Sequence, residues 1–339
     1  LALASVVALS CDSVTDNGGD CDHKVSSSLK RVMYWGTVSA DQDEPNQGIG
    51  AGDIFQPIWY RNNRILIRSV RADKGVLVRG IFEVSIDSLS LDFKGVDTYA
   101  FPFLIRDFDY DATLQEFAIV FSRSADDIQV VRAQRAGSNL AVIDTLLGQS
   151  WHPRSARYDQ AGGGVFAYAT SPITQVSGFY YVSTPGTSDS VVVPIVLPIS
   201  DVRGFDVSNG RICYGVTTDS NGFETQIWLR DFHNNQNPQL LAHFPGVFVS
   251  ATLNATATCA IVSTEVTGKS PGVVVRTVDM SSGASKLVDV KTHACGFAIA
   301  DFSSWNPGET SFAFSASAFT GEGDVFPREL WLRTGAECP

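Results

Sequence analysis

The chain has 339 residues, 44% apolar and only 18% charged, with a formal net charge of −11. An acidic surface repels phosphate backbones, and no basic run exceeds Lys30-Arg31, which argues against broad nucleic-acid binding. Phe is abundant at 21 and Met rare at 2, a mix that favours sheet over helix. In chain order, Leu1 to Ser10 (LALASVVALS) is apolar and small-residued, the pattern of the end of a signal h-region, and Cys11 follows. Ala8-Leu9-Ser10-Cys11 has the form of a lipobox, although Ala8 stands where Leu is usual. Residues 1–11 are therefore expected to be a signal or lipobox-like segment with Cys11 lipidated. The alternative is a secretory signal cleaved nearby, with Cys11 paired to Cys21. Residues 12–29, acidic and Gly-rich from Asp12 to Asp22, read as a flexible tether, and 30–339 as one domain. No segment approaches the roughly 18–20 continuous apolar residues of a spanning helix.

Past Lys30 to Val38 (KRVMYWGTV), which reads as a strand, the chain repeats itself. Asp107 opens DFDYDATLQEFAIVFSR, Arg203 opens RGFDVSNGRICYGVTT and Asp301 opens DFSSWNPGETSFAFSAS. Their anchors Phe108, Phe205 and Phe302 lie 97 residues apart. The half-spacing finds three more units: PIWYRNNRILIRSV from Pro57, SARYDQAGGGVFAYATS from Ser155 and SATLNATATCAIVST from Ser250. Each reads as an apolar first strand, a polar turn (Asn62-Asn63, Asn209-Gly210, Asn306-Pro307-Gly308) and an alternating second strand. Further strands follow at Gln129 to Arg132, Gln226 to Arg230 and Glu329 to Arg333. No such unit can bury both of its faces alone, so the units must close on one another. The expectation is an all-β chain folded as a six-bladed β-propeller. Little chain remains after Arg333 for an outer strand, so the N-terminal strand is expected to complete the last blade.

Ser304-Trp305-Asn306-Pro307-Gly308, Phe312-Ala313-Phe314-Ser315 and Glu329-Leu330-Trp331-Leu332 resemble the TolB-like, WD40-like propeller repeat, and Asp107-Phe108-Asp109 with Phe117 to Ser122 is similar to it. The resemblance implies a propeller over about six-sevenths of the chain. It also implies an exported lipoprotein type and protein–protein binding at the mouth of the ring. TolB itself carries an α/β domain ahead of its propeller; with only about 40 residues before the first repeat, this chain is expected to be another member of the TolB-like type.

Local chemistry is sparse. Asp107, Asp109 and Asp111 begin like a calcium loop, but the sixth position is Ala112 and no Glu stands at the twelfth. There is no G-x-S-x-G elbow, no phosphate loop, and no metal-ligand spacing among the five His. No metal and no cofactor are expected. Asp53, Asp107, Asp201 and Asp301 recur at first strands; they are expected to accept backbone N–H groups, though funnel carboxylates of a glycosidase would recur in the same way. The six Trp read mostly as inter-blade core; candidate binding residues are Trp151 and His152 in QSWHP, Trp151 being the best candidate among them for an exposed aromatic. Phe319, Glu322, Asp324 and Phe326 join them from the off-length loop Ala318 to Arg328. Cys213 and Cys259 read as buried thiols in apolar strands, while Cys295 and Cys338, near segment ends, are better placed for bridges. The functional expectation is a non-catalytic protein-binding platform of the cell envelope or surface: exported, lipid-anchored, acting on envelope protein partners and not on nucleic acid. The alternative is a carbohydrate-binding or glycoside-cleaving propeller.

Overall fold

The computed structural model describes residues 27–33, 52–73, 76–159, 164–183, 192–196, 202–218, 223–232, 237–266, 272–288, 290, 299–317 and 329–339. Among them every regular element is a strand except one 3-10 turn, Gln149–Trp151. A short strand, β1 (Leu29–Met33), comes first; it starts one residue earlier than the sequence suggests, and Tyr34 to Val38 lie outside the described residues.

The strands that follow form antiparallel meanders. The first is β2 (Gly52–Arg61), β3 (Arg64–Asp73), β4 (Val76–Ile86) and β5 (Phe93–Ala100), and the second β6 (Leu104–Asp111), β7 (Glu116–Ser122), β8 (Ile128–Ala136) and β9 (Asn139–Leu147). A single parallel bridge, Ala100 to Asn139, joins these two into one eight-stranded sheet. Next come β10 (Ser155–Asp159), β11 (Gly164–Thr170), β12 (Ser177–Val182) and β13 (Val192–Val196), then β14 (Val202–Ser208), β15 (Arg211–Thr218), β16 (Glu224–Asp231) and β17 (Gln239–Pro245). The last sets are β18 (Val247–Leu253), β19 (Cys259–Val266), β20 (Gly272–Asp279) and β21 (Ser285–Val288), then β22 (Ile299–Trp305), β23 (Ser311–Ser317) and β24 (Glu329–Thr334). β1 lies antiparallel to β24, Leu29 opposite Arg333, so that sheet runs β1-β24-β23-β22.

The turns explain why the chain reverses where it does. Asn209 and Gly210 both have positive φ, 49° and 68°, which is the two-residue type I′ turn that matches strand twist. Asn254 and Asn306 fold equivalent turns: each side-chain oxygen accepts two backbone N–H groups, from Thr258 and Cys259 in one case and Thr310 and Ser311 in the other. Asp87, Asp111 and Asp279 do the same two and three residues ahead of themselves.

The second strands are the core. All seven residues of β7 are buried, and aromatic side chains such as Phe166, Phe312 and Phe314 stand between neighbouring sheets. The core is a set of inter-sheet clusters: Phe179, Phe205 and Tyr214 come from β12, β14 and β15, and Ile54, Phe82, Ala313 and Leu332 come from β2, β4, β23 and β24. Inward of these, the first strands touch in sequence: β2 meets β6, β6 meets β10, β10 meets β14, β14 meets β18, β18 meets β22, and β22 meets β2.

The cysteines depart from the sequence reading at one point. Cys213 is a buried thiol as expected, and burial pushes its pKa up. Cys259 is not a thiol: it is bonded to Cys338, with Cα atoms 6.0 Å apart. Its mid-strand position concealed the partner because the residues after β24 turn back over the neighbouring sheet, where the Thr277 hydroxyl donates to the Glu337 carbonyl at 2.8 Å and Lys286 pairs with Glu337 at 3.1 Å. Cys11, Cys21 and Cys295 lie outside the described residues.

Candidate functional site

The first strands converge on a cavity of about 310 Å³. Five of the six carry a register irregularity: between Phe55 and Ile58 in β2, Ile105 and Asp107 in β6, Val202 and Gly204 in β14, Phe248 and Ser250 in β18, and Asp301 and Ser303 in β22. A bulge re-aims the side chains beyond it, and Asp107, Ser250 and Ser303 stand directly after three of these irregularities.

Each first strand is stitched to the next at this level. The Gln56 amide donates to Asp107 and, at 2.6 Å, to the Phe108 carbonyl. Asp107 accepts Ala156 N–H at 3.1 Å and Asp109 accepts Tyr158 N–H at 2.8 Å. Asp159 accepts Gly210 N–H at 3.3 Å, and Asp206 accepts Leu253 N–H at 2.8 Å. The Thr252 hydroxyl donates to the Ser303 carbonyl at 2.6 Å, and Trp59 N–H donates to the Ser304 hydroxyl at 2.9 Å, which joins the last set to the first. First-strand acids thus serve backbone N–H groups of the adjoining sheet, as the sequence suggested for Asp107.

Arg157 stands at the centre of the acids. Its guanidinium donates to Asp107 at 2.7 Å and to its neighbour's carbonyl, Ala156, at 2.7 Å, with Asp206 at 3.8 Å and the Phe205 ring at 5.6 Å. Burial holds the Asp109 carboxyl up at about 6 against the pull of Arg157, and the Asp206 carboxyl at about 7 for the same reason. Arg157 is itself pushed up, its burial outweighed by the three carboxylates.

Of the other residues singled out from sequence, Trp151 is half-buried, its ring edge-on to Tyr180 at 5.0 Å. His152 is exposed and left-handed at φ 42°. Both sit in the connection from β9 to β10. Phe319, Glu322, Asp324 and Phe326 fall outside the described residues, in the connection from β23 to β24. Asp53 and Asp301 lie in β2 and β22; Asp201 is outside the described residues. Sequence reasoning missed Gln56, Arg157 and Asp206. The repeat held the signal, since Asp109, Arg157 and Asp206 stand 48 and 49 residues apart in equivalent strands. Among the described residues, no three His, Cys, Asp or Glu side chains are placed to hold a metal ion.

Solved structures share this fold. TolB from Acinetobacter baumannii superposes with a TM-score of 0.50 at 13% identity, over 85% of this chain and 80% of that one. The fold is a TolB-like β-propeller. The putative TolB from Agrobacterium tumefaciens gives the same TM-score at 12% identity, over 85% of this chain and 91% of its own. No protein-family model and no curated protein matches the sequence. At such identity the likeness is one of fold.

Proposed function

We propose that this chain is a non-catalytic protein-binding platform of the bacterial cell envelope or surface, a subunit of a larger assembly tethered through a lipid on Cys11. The domain is read as a six-bladed ring over residues 30–339, with β1 supplying the outer strand of the last blade. The pairing of β1 with β24 and the cyclic contacts of the first strands support that reading.

The observation that carries the platform reading is the use made of the axial acids. Asp107, Asp109, Asp159 and Asp206 accept backbone N–H groups across sheet boundaries, and Asp107 neutralises Arg157. Their work is to hold the ring together. The described histidines are surface groups: His152 is exposed, and His243 pairs with Glu224 with its side chain 72% exposed. What the frame offers a partner is a rigid face with non-repeat loops on it, and loops on a rigid scaffold are where binding residues concentrate.

The test is capture from solubilised envelope on the full chain with its own N-terminus, read by mass spectrometry of bait and prey. The expected result is one stoichiometric protein partner and a diacylglyceryl mass on Cys11. The double variant Phe319→Ser, Phe326→Ser should lose the partner and keep the lipid. An unmodified Cys11, with no protein retained by the wild-type chain, would overturn the proposal.

A further inference from the structure

We propose that the axial cavity is a receptor for an organic cation, a guanidinium or alkylammonium group that enters beside Arg157 and is held by Asp206, Gln56, Ser250 and Ser303. The inference does not depend on the protein-partner reading.

The first argument is charge. Three carboxylates, Asp107, Asp109 and Asp206, surround one guanidinium, so the cluster keeps an excess of negative charge when they ionise. Asp107 is fully engaged with Gln56, Ala156 N–H and Arg157. Both oxygens of Asp109 accept a backbone N–H, from Tyr110 and Tyr158. Asp206 accepts the N–H groups of Leu253, at 2.8 Å, and Val207, and its ion pair with Arg157, at 3.8 Å, is longer than the 2.7 Å pair of Asp107. The remaining titratable groups at the cavity wall are the Tyr60, Tyr110 and Tyr158 hydroxyls, all pushed up by burial, with the Cys213 thiol near Asp206. The described cavity residues of β18 and β22 carry no charge, so no second cation answers Asp206 from those strands.

The second argument is independent of the acids. Gln56 is 4% exposed, Ser250 2% and Ser303 6%, and all three line the cavity. Gln56 Oε1, Ser250 Oγ and Ser303 Oγ have no hydrogen-bond partner, and neither do the Tyr158 hydroxyl and Trp59 Nε1 of the same wall; all but the indole N–H can accept. Buried polar atoms are nearly always paired, and five unpaired ones around one cavity point to a group that binds there. Gln56 also holds a left-handed backbone, φ 49°, within a strand, the kind of local strain that persists where a site needs it. The complement is a group rich in N–H donors and positively charged. An anion is refused by the sign of the cluster, and a metal ion by its ligand geometry among the described residues. The rings of Trp59 and Trp305 in the same wall suit a delocalised cation.

Burial keeps Asp109 and Asp206 partly protonated near neutrality. A cation favours their ionised forms, so its binding releases protons and strengthens as pH rises from 5 to 8. The test is calorimetric titration of the full chain with methylguanidinium at both pH values, with acetamide as the neutral comparison and a capped Gly-Arg-Gly peptide as the side-chain form of the same group. Saturable one-to-one binding is expected at pH 8, about tenfold weaker at pH 5, with heats at pH 7 that vary with the buffer's ionisation enthalpy. Ser250→Ala and Ser303→Ala should each keep the unfolding midpoint, since neither hydroxyl has a partner to lose, and weaken methylguanidinium about threefold or more. Binding of both probes assigns the cavity to a side chain of a partner, and of methylguanidinium alone to a free amine; either supports the proposal. No saturation by either probe at pH 8, equal affinity at pH 5, or acetamide binding as well as the cations would overturn it. Failure to capture an envelope protein would bear on the platform reading alone.

Discussion

Asp107 answers two needs at once, and the difference between them can be measured. It satisfies a backbone N–H of the next sheet and it compensates a guanidinium that is 9% exposed. Asp107→Ala should therefore cost about 3–5 kcal/mol in urea unfolding, because it leaves a buried charge short of its nearest counter-ion. Asp107→Asn keeps an acceptor and should cost clearly less. Asp109 and Asp206 give a pH prediction with a definite sign. Their folded pKa values, about 6 and about 7, lie above the usual carboxylate value of 3.8, so the folded chain binds protons more tightly than the unfolded one. That stabilisation is complete below the unfolded value and is lost as pH rises through the folded values. The melting temperature should fall by a few degrees between pH 5 and pH 8, and Asp206→Asn should flatten that slope. A slope that is unchanged in the variant would mean Asp206 is not the group titrating. Below pH 4 the trend should reverse, since Asp87 and Asp279, held at about 2 by the N–H and O–H groups of their own turns, begin to protonate.

The repeat that made the strands legible also fixed where side chains had to be absent. Gly215 in β15 lies under the Phe248 ring and Gly164 in β11 under the Tyr181 ring; a Cβ at either would overlap the aromatic. Phe248 is 2% exposed and cannot swing clear, so Gly215→Ala should cost about 1–3 kcal/mol. Gly95 in β5 has nothing within 4 Å of a built Cβ, and Gly95→Ala should be close to neutral under the same denaturant titration. The third strands read from QVVR, QIWLR and ELWLR appear within β8, β16 and β24, because alternation and flanking turns act locally. The site was less legible. Arg157 looks from sequence like one charge in a short degenerate unit, and its meaning comes from Asp107 and Asp206, 50 residues before it and 49 after. The half-burial of Trp151 was hard to read for a similar reason: Tyr180, whose ring it meets, lies three strands further on.

At the scale of the whole molecule, the open question is what holds the two chain ends in place, since β24 pairs with a strand 300 residues earlier. Two devices meet there. Leu29 and Trp331 share an apolar cluster with Phe312 and Phe314. Thr334 N–H donates to the Ser28 carbonyl at 2.8 Å, beyond the paired strands. The residues after β24 then cross to the preceding sheet, where Ala336 is buried and Cys338 is bonded to Cys259, 79 residues back. The disulfide therefore ties the last sheet to the one before it, while β1 ties the same sheet to the start of the chain. Cys338→Ser should lower stability by about 2–4 kcal/mol, since the unfolded chain regains the freedom of a long loop. The loss should also be uneven. β7 is buried along its whole length, so its amides should exchange only on global unfolding, whereas β24 depends on both ties. Hydrogen exchange on the variant should show Leu330 to Leu332 losing more protection than Phe117 to Phe121. If instead both strands lose protection by the same factor, the bond acts only through global stability, and the seam is held by the β1–β24 ladder and its cluster.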